Sequence, residues 1–67
     1  MTVEELVKVL DKEVTFEVLQ AYDREILFDS TNSNHEWESV KDKIVVEFYP
    51  TDTRKLYIYV FPDWISN

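Results

Sequence analysis

The chain has 67 residues, with 14 acidic and 7 basic side chains, a formal net charge of -7, and neither cysteine nor glycine. A chain of this length has room for one small domain, so we expect a single domain over residues 1–67. The missing cysteines exclude disulfides, thiolate nucleophiles and cysteine-based metal centres. The missing glycines exclude Gly-rich phosphate loops and dinucleotide-binding fingerprints.

The acidic charge argues against direct binding to nucleic acid or to an anionic membrane surface, because both attract basic proteins. No apolar run reaches the roughly 18 residues of a membrane span. The first residues, MTVEE, are acidic where a signal peptide would be basic. We therefore expect a soluble, cytoplasmic protein.

The first predicted element is an N-terminal helix. Thr2 and Glu5 have the spacing of a capping box, and Asp11 with Lys12 marks the predicted end. The apolar residues that recur at helical spacing are Val3, Leu6, Val7 and Leu10. A helix of about nine residues is unstable alone, so we expect its apolar face to pack on a sheet.

Four strands are predicted after the helix. Alternation of apolar and polar side chains places them at residues 13–22, 26–28, 43–49 and 55–61. Residues 23–25 and 50–53 have the composition of turns, and residues 30–35 that of a loop. The third and fourth strands are expected to form a hairpin.

The predicted fold is α+β, with the N-terminal helix packed on one face of a four-stranded antiparallel β-meander. The face under the helix would carry Val14, Phe16, Val18, Ile44, Val46, Phe48, Leu56, Ile58 and Val60. The second face would carry Glu17, Leu19, Val45, Glu47, Tyr49, Tyr57, Tyr59 and Phe61. An alternative is that Trp37, or Trp64 and Ile65, folds back and covers this second face.

We place function on the second face, because tyrosine offers an apolar body and a polar tip and is enriched at interface hot spots. An exposed aromatic face is a contact surface for another chain or for a second copy of this one. Residues i and i+2 of a strand lie about 6.6 Å apart, which is close to the spacing of phosphates along a nucleic-acid strand. The predicted binding residues are Glu13, Glu17, Glu47, Tyr49, Tyr57, Tyr59 and Phe61.

Catalysis and metal binding are not expected. His35 with Glu36 and Glu38 has metal-ligand chemistry, but a zinc site needs three or four protein ligands and no second His or Cys exists. A domain this small has little room for a cleft with two differently placed carboxylates. We predict no enzyme activity, no metal and no cofactor, and the alternative is a small metal-dependent protein that uses His35.

The opening MTVEELVKVLD, followed by a strand, a short apolar strand and a closing hairpin, resembles small acidic proteins of phages and prophages of Gram-positive bacteria. Proteins of this kind include anti-CRISPR proteins that block Cas nucleases, some by imitating DNA. The resemblance implies a binding protein that inhibits a basic nucleic-acid-binding enzyme of the host. The alternative is a homodimeric structural or assembly module of a phage or mobile element, joined through Tyr49, Tyr57, Tyr59 and Phe61.

Overall fold

The computed structural model describes residues 1–32 and 35–62. The elements are a helix α1 (Val3–Val7), strands β1 (Thr15–Gln20) and β2 (Ile26–Asp29), a 3-10 turn (Trp37–Ser39), and strands β3 (Val45–Pro50) and β4 (Lys55–Val60). Within the described part of the chain, no helix is long and apolar enough to cross a membrane.

The four strands form one mixed sheet in the order β2-β1-β4-β3. β1 pairs antiparallel with β2, and β3 pairs antiparallel with β4, but the central strands β1 and β4 run parallel. The predicted antiparallel meander, and the α+β fold class built on it, is therefore wrong. A meander would place β2 beside β3, whereas here these two strands lie at opposite edges of the sheet.

The segment between β2 and β3 produces this topology, because it runs from one edge of the sheet to the other instead of forming a tight turn. We call this segment the crossover. Val40 in this crossover is only 1% exposed and belongs to the hydrophobic core. The Trp37 ring packs against Phe16 at 5.9 Å and Phe28 at 5.4 Å between ring centroids. Burial of the apolar side chains of Val40 and Trp37 packs the crossover against the sheet. The mostly polar composition of the crossover does not predict this packing.

The helix begins where the sequence predicts and ends earlier. Both hydrogen bonds of the capping box are present, from Glu5 N–H to Thr2 Oγ1 and from Thr2 N–H to Glu5 Oε1. The N–H groups of Val9 and Leu10 then donate to carbonyls three residues back, which tightens the turn and ends the helix. The helix thus has five residues instead of the predicted nine.

We call the side of the sheet under α1 the core face and the opposite side the outer face. The buried core residues are Val3, Leu6, Val18, Val40, Leu56, Ile58 and Val60. The helix and the crossover therefore cover the core face together.

Three of the side chains predicted for the core lie on β3 or just before it and are half-exposed. Ile44 is 48% exposed and Val46 42%, whereas Val45, predicted for the outer face, packs against the core. The pairing register shifts between Val45 and Glu47, and such a bulge reverses the alternation of side chains. Phe48 lies opposite Ile58 but on an edge strand, and it stays 48% exposed.

Replacement of Leu6 by Ala should lower the free energy of unfolding by about 2–5 kcal/mol, because it leaves a cavity between helix and sheet. Val9→Ala is the matched control, since Val9 is 77% exposed. Urea denaturation followed by circular dichroism measures both variants. A Leu6→Ala variant as stable as the parent would contradict the packing described.

Acid should destabilise the protein through Glu5 and Asp29. Hydrogen bonds from Thr2 hold the pKa of Glu5 below its usual 4.5, and hydrogen bonds from Thr31 hold the pKa of Asp29 below its usual 3.8. A depressed folded-state pKa gives stability that is present above the unfolded-state value and is lost as pH falls through the folded-state value. The melting temperature should therefore drop as the pH falls below about 4.5.

Glu5→Gln should flatten this acid dependence, because the glutamine side chain does not titrate. Glu36→Gln is the control, since the Glu36 side chain makes no capping hydrogen bond at the 3-10 turn. Melting curves between pH 3 and pH 7 provide the measurement. Identical acid slopes for Glu5→Gln and the parent would rule out the contribution of Glu5.

Candidate functional site

The register of the sheet brings five of the predicted binding residues onto the outer face. Glu17 of β1 lies opposite Tyr57 of β4. On the other side of β4, Tyr49 lies opposite Tyr57 and Glu47 lies opposite Tyr59. Directly opposed residues point to the same side of a sheet, so these five side chains share one face, together with the buried Leu19.

The alternative in which Trp37 covers the outer face is wrong. Trp37 lies on the core face, where its ring contacts Phe16 and Phe28. Trp64 and Ile65, the other predicted cover, lie outside the described residues.

Glu17 is the buried acid of this face. It is only 7% exposed and forms an ion pair with Lys55. The Lys55 Nζ also lies 5.4 Å from the centroid of the Tyr57 ring, within the range of a cation–π contact. The hydrogen bond to Glu17 raises the pKa of Lys55, so the ammonium remains charged and neutralises the carboxylate.

Glu13 precedes β1 and is also neutralised by a basic partner. Its carboxylate pairs with the guanidinium of Arg54 in the β3–β4 turn, and both side chains are mostly exposed. An exposed pair of this kind contributes little to stability. Together with the pairing of Glu17, it means that Glu13, Glu17 and Glu47 do not form a row of free carboxylates.

Glu47 differs from the other two predicted acids. It is exposed, and its Oε2 accepts a hydrogen bond of 2.5 Å from the Tyr49 hydroxyl. This hydrogen bond raises the pKa of Tyr49 above its usual 10.0. The Tyr49 ring meets the Tyr59 ring edge-on, with centroids 5.7 Å apart and an angle of 83° between the planes.

A groove of about 300 Å³ opens beside these tyrosines. Its lining residues are Ala21, Tyr22, Arg24, Glu47, Tyr49 and Tyr59, and we call it the tyrosine groove. The sequence pattern does not point to Tyr22 and Arg24, because alternation places Tyr22 at the end of a strand and composition places Arg24 in a polar turn. The polar turn itself was the available signal, since loop residues held by a rigid scaffold often carry binding function.

The turn after β1 forms one wall of the tyrosine groove, and two of its residues have a strained backbone conformation. Tyr22 has φ 80° and Arg24 has φ 61°, in the left-handed region that bulky side chains disfavour. Such conformations cost about 1–3 kcal/mol each and persist only where surrounding contacts enforce them. Asp23 supplies these contacts, because its carboxylate accepts hydrogen bonds from the Gln20 side chain at 2.8 Å and from the Glu25 N–H at 3.0 Å.

Four further apolar side chains on β3 or next to it are exposed, although they do not all point to the same face of the sheet; we call them the edge residues, and they are Ile44, Val46, Phe48 and Phe61. Phe61 follows β4, is 46% exposed, and donates its N–H to the Ile44 carbonyl. Few backbone groups on the open edge of β3 are free to pair with another strand. Met1 O accepts the Val45 N–H at one end, and Pro50 has no N–H to offer at the other.

His35, the candidate metal ligand of the sequence analysis, instead accepts a backbone hydrogen bond from the last residue of β2. Its Nδ1 accepts the Asp29 N–H at 2.9 Å, and its ring lies 6.3 Å from that of Phe28. Glu38 forms an ion pair with Lys41 at 3.2 Å. Across residues 1–32 and 35–62, no group of three or more His, Asp or Glu side chains is placed to hold a metal ion.

Replacement of Glu47 by Gln should lower the pKa of Tyr49 toward its usual value, because the carboxylate that stabilises the protonated phenol is gone. Tyr59, opposite Glu47, gives a second resonance to follow. NMR titration of the tyrosine ring resonances between pH 8 and pH 12 tests this. An unchanged Tyr49 pKa would show that the Glu47–Tyr49 hydrogen bond does not persist in solution.

Comparison with known proteins adds no family to this geometry. The chain has no significant match among protein-family models, curated proteins or solved structures.

Proposed function

We propose that this chain is a non-enzymatic protein-binding module that contacts its partner through the outer face. The observation that carries the proposal is that Tyr49, Tyr57 and Tyr59 share one face with the exposed Glu47, beside an open groove. Tyrosines of this kind bury a large rigid ring and keep a polar tip, which is why they dominate interface energetics.

The proposed partner is a basic enzyme that handles nucleic acid, and the chain would inhibit it in the cytoplasm of a host cell, as anti-CRISPR proteins do. The net charge of -7 supports this partner class. Opposite charge accelerates the encounter of two proteins and excludes wrong partners. The resemblance of the opening residues to small phage proteins points the same way.

The proposed contact centres on the tyrosines and not on a row of phosphate-like carboxylates. Glu13 and Glu17 are already paired with Arg54 and Lys55, so a partner would have to break these ion pairs to use them. Glu47 has no basic partner among the described residues and can receive one from another protein. DNA imitation would then rest on overall charge, with the tyrosines holding the complex.

A homodimeric assembly module of a phage or mobile element is the second candidate. The half-exposed edge residues Phe48 and Phe61 favour it, since exposed apolar side chains on either face of an edge strand can pack against another copy. Light scattering over a range of protein concentrations separates the two functions. A stable dimer at micromolar concentration would favour the assembly module.

Affinity capture with the full chain from a host-cell extract, followed by purification of the captured protein, tests the inhibitor function. The purified partner should be a basic nucleic-acid-binding enzyme, and the chain should compete with its nucleic acid. Affinity should fall steeply with rising salt, because exposed charges are screened within about 8 Å at physiological ionic strength.

The variant Glu47→Lys should weaken inhibition more than Glu36→Lys, although both change the net charge equally. Glu47 lies on the outer face, whereas Glu36 lies on the crossover that packs against the core face. Equal losses in the two variants would contradict a contact through the outer face. A complex that forms equally well at high salt, on an enzyme already loaded with nucleic acid, would contradict the inhibitor mechanism.

A further inference from the structure

Two glutamates of the outer face each lie directly opposite a tyrosine of β4. Glu17 of β1 faces Tyr57, and Glu47 of β3 faces Tyr59. The first pair holds a cation from the chain itself, because Lys55 forms an ion pair with Glu17 and lies over the Tyr57 ring. A carboxylate beside a tyrosine ring is thus a cation site in this protein.

The second pair offers the same groups without an internal ion pair. Glu47 is exposed and has no Lys or Arg partner among the described residues. The rings of Tyr49 and Tyr59 meet at 83° and form a corner beside its carboxylate. The tyrosine groove opens this corner to solvent over about 300 Å³, which is enough for one long side chain.

We propose that the tyrosine groove binds an arginine side chain of the basic partner, with the guanidinium between the tyrosine rings and the Glu47 carboxylate. The inference rests on the proposed function for the nature of the partner. Arginine fits better than lysine, because its planar guanidinium stacks on an aromatic face and donates two parallel hydrogen bonds to a carboxylate. The Tyr49 hydroxyl positions the carboxylate by its own hydrogen bond to Oε2.

Arg24 is the cation that the groove already has at its rim. Its guanidinium forms no hydrogen bond or ion pair within the described residues, and the left-handed turn fixes its backbone beside the tyrosines. It repels an incoming guanidinium, whereas it would attract an anion. Removal of Arg24 therefore has opposite effects on the two classes of ligand.

NMR titration of the full 67-residue chain with N-acetyl-arginine amide tests the proposal. We expect saturable shifts of the Tyr49 and Tyr59 ring resonances, and smaller ones with N-acetyl-lysine amide. Glu47→Gln should weaken the binding of the arginine probe about tenfold, since it removes the charge-assisted hydrogen bonds. Arg24→Gln should raise this affinity, because it removes the repulsion between two guanidinium groups, and Glu36→Gln is the control that should not change it.

Three results would overturn the inference: no shift at Tyr49 and Tyr59, equal shifts with the lysine probe, or binding that is lost in Arg24→Gln and kept in Glu47→Gln. The last result, with shifts on addition of N-acetyl-glutamate, would identify an anion site. Both substitutions fall on side chains outside the core, and circular dichroism checks that each variant is folded.

The tests of the arginine site and of the proposed inhibitor function can fail independently of each other. A chain that binds the arginine probe but inhibits no basic enzyme would leave the groove assignment intact and overturn the inhibitor function. A chain that inhibits a basic enzyme, with equal strength as parent and as Glu47→Gln, would overturn the groove assignment alone.

Discussion

The parallel pairing of β1 with β4 is the contact on which the rest of the structure depends. It joins residues about forty positions apart, with Phe16 beside Leu56 and Val18 beside Ile58. Because both strands are central, the apolar side chains at their even-numbered positions form the surface on which α1 and the crossover pack. Without this pairing the chain would hold two separate hairpins, and an isolated hairpin is marginally stable at best in water.

The same pairing decides how charge is distributed on the outer face. It places Glu17 beside Tyr57 and within reach of Lys55, so that a buried carboxylate meets a cation. A carboxylate that is only 7% exposed would be strongly destabilising without such a partner. The face therefore leaves Tyr49 and the carboxylate of Glu47 exposed to solvent, whereas its central acid, Glu17, is paired within the fold.

Because the chain has no glycine, other residues must adopt the positive φ angles that its turns require. Among residues 1–32 and 35–62, the three residues Tyr22, Arg24 and Arg54 adopt the left-handed backbone conformation that glycine usually supplies. Side-chain hydrogen bonds stabilise it: the Asp23 carboxylate accepts two in the β1–β2 turn, and the Thr51 hydroxyl donates to the Lys55 carbonyl and accepts the Lys55 N–H in the β3–β4 turn. In return the first turn carries a tyrosine and an arginine to the rim of the tyrosine groove.

The sequence by itself determined the local features of this protein. The capping box of Thr2 and Glu5 marked the start of the helix, and the alternation along β4 placed Tyr57 and Tyr59 together opposite the core, as the structure confirms. Only the tertiary structure decided the strand order, the bulge that turns Val45 inward, and the approach of Arg24 to Glu47. The reason is physical: alternation specifies which face a side chain takes, but it is the same in parallel and antiparallel sheets. The choice of neighbour depends on burial of residues far apart in the chain, here Trp37 and Val40 of the crossover.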